Sequence, residues 1–354
     1  NDSTDKKSTS KRAIQISNLI REIVFVVIEF DNNRTGAVDH FMLTNDSSLF
    51  KPLTAYDLAS AFTLKVIQPE DDDVGRNDAQ EEIAEIWRSI SDGLWIAFEK
   101  EEAEVKSFFY SWLLATGRRP SASKRYTKDE SWRGLKKEFD IRTKPDGKFK
   151  FDEILELYKQ ISTFAKIYIR LINTDQGDWI TKKPYNSAAC HDERNLLKIL
   201  STVSTQHVPS VMALTYHLEK KGVKDRSCIR DFLHNFNYQI LRFNSVSTLL
   251  GNGDNISAGK VYGYLQGSED WITRIQQSNL ESEEERKTIS RLPLELEDKV
   301  NNTDSIPWDE DDEVWREMNT WKGGNQQSHT NKIKHVLLSY ERACQHTTNP
   351  QMPY

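Results

Sequence analysis

The sequence predicts a mainly α protein, a multi-helix body with one short β element near the N-terminus at about residues 23–43. Three observations point there. Glycine and proline are scarce, at 15 and 10 of 354 residues, which disfavours turn-dense β architectures and glycine-loop enzymes and favours long helices. Apolar residues recur at helical spacing over most of the chain after residue 54. The one dense run of β-branched residues, IVFVVIEF at 23–30, precedes those helices.

Residues 1–12 (NDSTDKKSTSKR) are polar and expected to fray. AIQISNLI leads into the strand, FDNNRTG reads as a turn, and AVDHFML is a second short strand or helix. Pro52 ends what precedes it. In PLTAYDL, Thr54 is placed to cap a helix while Asp57 reaches back to the cap amide, and Leu53 and Leu58 occupy staple positions.

Asp78 and Glu81 start a second helix, whose inner face is Ile83, Ile86, Trp87, Ile90 and Leu94. Val105, Phe108, Phe109, Trp112 and Leu113 repeat the pattern up to Gly117, which suits a helix end. The longest amphipathic stretch runs from Phe151 to Ile172, and further helices are expected at 192–205, 208–221, 226–250, 256–277 and 331–345. No fixed-period repeat is present. The chain turns acidic after 278, so the expected organisation is a helical domain at 51–280, an acidic linker at 281–307 and a further helical element at 308–354.

A hydrophobic fraction of 37%, with 15 Phe, 12 Tyr and 9 Trp, supports a packed core. Cys190, Cys228 and Cys344 are dispersed and form no CxxC pair, which fits a reducing, cytoplasmic setting. No apolar run approaches the roughly 18 residues that a membrane helix needs, so no membrane partner is expected. The first residue is Asn, with no signal-peptide pattern behind it, and the chain is read as a piece of a longer protein.

The net charge of −6 conceals segregation. Residues 118–150 hold twelve Lys or Arg against five Asp or Glu, whereas residues 281–313 hold thirteen acids against four bases. The densest change of character is FFYSWLLATGRRPSASKRYTK at 108–128, where a buried-looking helix end gives way to Arg118, Arg119, Lys124, Arg125 and Lys128. These five cations are the candidate phosphate contacts for a nucleic acid. Tyr126, Trp132 and Phe139 interleave with the bases and suit base stacking. The same pattern equally describes core aromatics at 112, 132 and 139 beside a loop that the cations merely solubilise.

Catalytic constellations are missing. The chain has no Walker A loop, no GxGxxG after a strand, no GxSxG and no HExxH. GNGDN at 251–255 reads as a helix-ending turn, and His329, His335, Cys344 and His346 match no zinc spacing, so no metal site is assigned. His191, His207, His217 and His234 read as structural, and the carboxylate runs at 70–73, 101–104 and 309–313 as solvated faces. No residue is assigned a catalytic role.

From HFMLTNDSSLFKPLTAYDL onward the chain resembles the GmrSD-type restriction endonucleases, in which a strand leads through F-x-x-x-N-x-R-G-x-P-L-T-x-x-D-L into a helix. Phe41, Asn45, Pro52, Leu53, Thr54, Asp57 and Leu58 stand in that order here, without the Arg-Gly pair and with two extra residues before Pro52. The likeness continues through IWRSI, FFYSWLLATGRRPSASKRYTKDESWRGLKKEF, AKIYIRLIN, LLKILSTVSTQHVPSVMALTYHL, FLHNFNYQILRFNSVST, WDEDDEVWREM and NKIKHVLLSYERA. The resemblance implies that residues 1–50 are the tail of a ParB-like nucleotide-using domain and that 308–354 lead into a His-Asn-His-type nuclease domain. It implies restriction of foreign or modified DNA in phage defence, with a nucleoside triphosphate and a divalent metal serving the full-length family. The family's D-G-Q-Q-R and E-H-I motifs do not occur in these 354 residues, so the segment itself is expected to hold neither cofactor. The implied partners are DNA and the rest of the same polypeptide or a second copy. The alternative is a non-enzymatic helical module that binds proteins or dimerises through an apolar face, its acidic tract mimicking DNA or covering the basic stretch.

Overall fold

The computed structural model describes residues 54–68, 78–98, 102–120, 126–145, 147–203, 207–249 and 269–295. The β element at 23–43, the helix at 331–345, the motif positions Asn45, Pro52 and Leu53, and the basic residues Lys124 and Arg125 lie outside them. Among the described residues 75% are helical, in eleven α-helices, with no strand, so the protein is mainly α. None of these helices is long and apolar enough to cross a membrane.

The helices are α1 (Ala55–Val66), α2 (Asp78–Ala97), α3 (Glu102–Ala115), α4 (Ser131–Ile141), α5 (Phe151–Ile172), α6 (Asp178–Thr181), α7 (His191–Val203), α8 (Val208–Lys220), α9 (Ser227–Leu249), α10 (Glu269–Gln277) and α11 (Glu283–Ser290). The helices expected at 151–172 and 226–250 correspond to α5 and α9.

The fold forms two compact units. The first contains, of the described residues, those within 54–95, 102–110 and 119–162, and the second those within 96–98, 111–118 and 163–295.

In the first unit, α1 begins with the capping box read from the sequence. Thr54 Oγ1 accepts from the Asp57 amide at 3.2 Å, and the Asp57 carboxylate accepts from the Thr54 amide at 2.7 Å. The motif positions Thr54 and Asp57 are thus occupied with starting a helix, a contribution of about 1 kcal/mol. Leu58, Ala59 and Val66 of α1 are buried, and Gln80 joins the start of α2 to the end of α1 by donating to the carbonyls of Val66 (2.9 Å) and Gln68 (3.1 Å). Phe62 stacks on Phe139 of α4 with ring centroids 3.7 Å apart. The Thr63 and Tyr158 hydroxyls share a buried hydrogen bond of 2.6 Å, and burial holds the Tyr158 phenol well above its ordinary range. Trp95 Nε1 donates to the Tyr56 hydroxyl at 2.8 Å, which also bonds Ser91 Oγ at 2.6 Å.

In the second unit, residues 208–215 of α8 are all buried, the signature of a central helix with no solvent face along that stretch. α9 packs against α7 on one side and α11 on another. Phe232, Phe236 and Trp271 form a ring cluster with centroids 5.7–6.4 Å apart. Asn235 donates to the Ser290 carbonyl at 2.7 Å and so ties α9 to α11. The described part of the segment read as an acidic linker, 281–295, contains α11 and a 3-10 turn at Leu292–Glu295. Ser282 caps α11 through the Glu285 amide, while Ile289 and Leu292 are buried, so a few apolar residues dock an otherwise acidic stretch.

Gly117 ends α3 as its position predicts. It has φ +67°, its amide donates to the Leu114 carbonyl (3.1 Å), and the Arg118 amide donates to the Leu113 carbonyl (2.8 Å). This pair of bonds is the Schellman arrangement, in which only a residue without a Cβ turns the chain at low cost.

Candidate nucleic-acid interface

Within the basic segment 118–150 the described residues are 118–120, 126–145 and 147–150, with α4 at their centre. Of the five cations singled out from the sequence, Arg118, Arg119 and Lys128 lie among them. Arg118 belongs to the second unit, is half-buried, and holds its guanidinium 4.6 Å from the centroid of the buried Trp112 ring, a cation–π contact. Arg119 is half-buried and belongs to the first unit. Lys128 is exposed and donates to Ser107 Oγ at 3.1 Å.

After the loop, Thr127 and Glu130 form a reciprocal cap before α4. The Glu130 amide donates to Thr127 Oγ1 at 3.3 Å, and the Thr127 amide to the Glu130 carboxylate at 3.2 Å. α4 then buries Trp132, Leu135 and Phe139 on its inner side. This decides between the two readings of the aromatics: Trp112, Trp132 and Phe139 are core residues rather than stacking platforms, Trp132, Leu135 and Phe139 lying at i, i+3, i+7 on the inner side of α4 with Phe139 fixed against Phe62. Tyr126 is half-buried, and burial followed by the nearby Glu138 carboxylate raises its phenol pKa.

The outer side of α4 carries Arg133, Lys137 and Asp140, all exposed, with Lys136 beside them. Several cations have neighbours of opposite sign: Arg133 with Glu130 (3.6 Å), Lys136 with Asp140 (2.6 Å) and Lys150 with Glu153 (3.3 Å). Exposed pairs of this kind contribute only about 0.3–0.5 kcal/mol each, so they do not withhold the cations from a stronger anion. Lys137 and Lys144 have no carboxylate within ion-pair reach among the described residues.

α4 ends in the sequence KPDGK at 144–148, a turn signature with Pro after the first residue and Gly near its end. The Gly147 amide donates to the Lys144 carbonyl at 2.9 Å, the Lys144 amide to the Lys148 carbonyl at 2.7 Å, and the Lys150 amide to the Arg142 carbonyl at 3.0 Å. Thr143 and Phe149 pair across it as an antiparallel bridge. Phe149 anchors the base of the turn by its edge-on contacts with Phe62 (5.6 Å) and Phe151 (6.2 Å). Sequence reading counted these lysines in the charge excess but did not single them out. The KPDGK signature was the signal that could have done so.

A second charged constellation lies in the second unit. Arg170 and Arg226 both stack on Tyr185, with guanidinium carbons 4.5 and 4.8 Å from its ring centroid. Glu219 Oε1 accepts from the Tyr185 hydroxyl (2.6 Å) and from Arg170 Nη2 (2.5 Å), while Arg226 makes a two-bonded pair with Glu193 at 2.6 and 2.7 Å. Asp178 completes the set, 3.6 Å from Arg170 and 2.9 Å from Lys182. Burial alone would disfavour the Arg226 cation, but the Glu193 carboxylate outweighs it and the pKa is raised. Three cations face three carboxylates, so the cluster is a balanced tie between α5, α6, α7, α8 and the chain before α9 rather than an open anion site.

Reactive groups are held in check. Burial pushes the Cys228 thiol up to about 12 and raises Cys190 as well, which keeps both protonated and poorly nucleophilic. Among the described residues no three His, Cys, Asp or Glu side chains gather to hold a metal. The His191 ring and the Asn195 side chain, one turn on in the same helix, share a hydrogen bond of 3.1 Å.

No protein-family model, curated protein or solved structure matches this chain. Lys128, Arg133, Lys137, Lys144 and Lys148 are exposed cations before, on and after α4, an arrangement that suits sequence-independent phosphate contact.

Proposed function

We propose that this chain is the helical DNA-engaging and coupling region of a cytoplasmic GmrSD-like restriction protein acting in phage defence, and that it carries no catalytic centre of its own. The observation that carries the reading is the set of exposed cations Lys128, Arg133, Lys137, Lys144 and Lys148 before, on and after the capped helix α4. The order of family-like segments along the sequence supports the parentage. The resemblance implies a nucleoside triphosphate and a divalent metal for the full-length family. In this reading both cofactors serve other parts of the longer enzyme.

Titration of duplex DNA at increasing salt tests the proposal. The chain binds at low salt and weakens steeply as salt rises, and replacing Arg118, Arg119, Lys124 and Arg125 with Ala lowers affinity and flattens the salt dependence. Unchanged binding by that variant sinks the loop's part in the reading.

A second reading, dimerisation or protein binding through an apolar face, is favoured by Ile180 and Tyr238, which are 56% and 55% exposed. Light scattering distinguishes it: a concentration-dependent dimer indifferent to DNA replaces the first reading.

A further inference from the structure

We propose that a surface of the second unit, formed by Lys183, Lys221 and Lys224 with the exposed Ile180, docks an acidic protein segment that carries an aliphatic or aromatic side chain among its carboxylates. The surface lies outside the 118–150 segment, and the inference does not rest on the DNA reading.

Two short stretches far apart in sequence form it. The first follows α6. Its Lys182 amide donates to the Asp178 carbonyl (3.0 Å), the Asn186 amide to the Lys182 carbonyl (3.0 Å) and the Ser187 amide to the Pro184 carbonyl (2.9 Å). The second ends α8. Gly222 takes φ +69°, its amide donates to the Glu219 carbonyl (3.0 Å), and the Val223 amide donates to the Leu218 carbonyl (3.0 Å), the same closure that Gly117 gives α3. The Tyr185 hydroxyl donates to Glu219 at 2.6 Å and ties the two stretches together, with Arg170 and Arg226 stacked on the tyrosine ring. Backbone fixed in this way leaves mainly side-chain freedom to be lost on binding.

The charges fall into two layers. Inside, Arg170 and Arg226 face Asp178, Glu193 and Glu219, and Lys182 pairs with Asp178 at 2.9 Å. Toward solvent, Lys183, Lys220, Lys221 and Lys224 are exposed, and none has a carboxylate within ion-pair reach among the described residues. Asp225, the acid next to Lys224, is occupied at the start of α9, where it accepts from the Ser227 amide and hydroxyl at 2.8 Å each. The outer layer keeps its positive charge and selects an anionic partner.

Ile180 decides which kind. It is 56% exposed in α6, two residues before Lys182, and its carbonyl accepts from Asn186 Nδ2 at 3.4 Å, which ties it to the same stretch. A phosphate backbone requires only charge and gains nothing from an isoleucine. A protein segment buries such a side chain as an anchor inside a charged rim. Acids interspersed with an aliphatic or aromatic residue match both features.

The experiment is an anisotropy titration of the full chain against a labelled peptide, DSIPWDEDDEVW, which has that composition and copies residues 304–315 of this chain. The triple variant Lys183→Ala/Lys221→Ala/Lys224→Ala is expected to bind about tenfold more weakly, with a flatter salt dependence. Ile180→Asn is expected to bind about fivefold more weakly. Both are expected to melt as wild type does, since the three lysines make no ion pair and Ile180 faces solvent. A peptide with Asn and Gln in place of its acids is expected not to bind.

A wild-type chain that does not bind the acidic peptide overturns the inference, and so does a triple variant with wild-type affinity. Ile180→Asn binding as tightly as wild type reduces the contact to charge alone and overturns the choice of a protein partner. If the variants instead lose affinity for a DNA duplex or for vesicles containing an anionic lipid, with the peptide titration unchanged, the surface belongs to that ligand and the inference is overturned. The DNA reading stands or falls separately, on duplex binding by variants of the 118–150 cations.

Discussion

Arg142 donates from Nε to the carbonyl oxygen of Glu153 at 3.1 Å and from Nη1 to the carbonyl oxygen of Glu138 at 2.7 Å, so a single guanidinium joins the last turn of α4 to the first turn of α5. It also pairs with the Glu138 carboxylate at 3.1 Å, and its side chain is 18% exposed. The fork of an arginine, with several donors in one plane, suits this double task; a lysine has one nitrogen and reaches one carbonyl.

Replacing Arg142 with Ala is expected to lower the unfolding free energy by about 1.5–3 kcal/mol, the range for hydrogen bonds to charged groups. Lys at the same position recovers only part of that loss. Urea unfolding curves for the three proteins check it, and an Ala variant as stable as wild type would show that the fork holds nothing.

The Arg226–Glu193 pair gives a second prediction. Glu193 is 1% exposed and Arg226 11%, so removing either partner leaves a charge stranded away from water. Glu193→Ala is expected to destabilise the chain by about 3–5 kcal/mol. The double variant Glu193→Leu/Arg226→Met is expected to cost less than Glu193→Ala alone, because no charge is then left without a partner. Thermal melts of the single and double variants decide it, and simple additivity would refute the coupling.

His217, near the end of α8, makes stability depend on pH. Burial first, and then Lys220 and Lys221, hold its pKa below 6.5. As pH falls through 6.5 the unfolded chain takes up a proton that the folded chain refuses, so stability declines until the pH reaches the depressed folded value. Below that both states are protonated and the loss grows no further. His217→Gln removes this component. Unfolding midpoints measured from neutral to mildly acid pH follow it, and identical pH profiles for the two proteins would show that His217 does not contribute.

Much of the helical layout was legible because its signals are local. The Thr54–Asp57 box, the Gly117 stop and the inner faces of α2 and α5 are each written within a turn or two of chain. Whether Trp132 and Phe139 faced solvent was not legible. Their spacing fits an inner face or an aromatic platform, and only Phe62, from a distant helix, decides it. The Arg170–Tyr185–Arg226 cluster was invisible for the same reason, its members being drawn from several elements with no shared spacing. In the candidate interface the charge excess was legible, but the closure of KPDGK by Arg142 and Lys150 depends on carbonyl groups that a side-chain pattern does not display.

The bonds that fasten the turn also bear on the order in which the chain assembles. Arg142 and Lys150 reach partners only 4 to 11 positions away, whereas the Thr63–Tyr158 hydroxyl pair joins residues 95 positions apart. Closing a short loop costs less entropy than closing a long one, and local contacts form sooner. The stretch from α4 to the start of α5 is therefore suited to be an early nucleus, on which helix α1 docks afterwards.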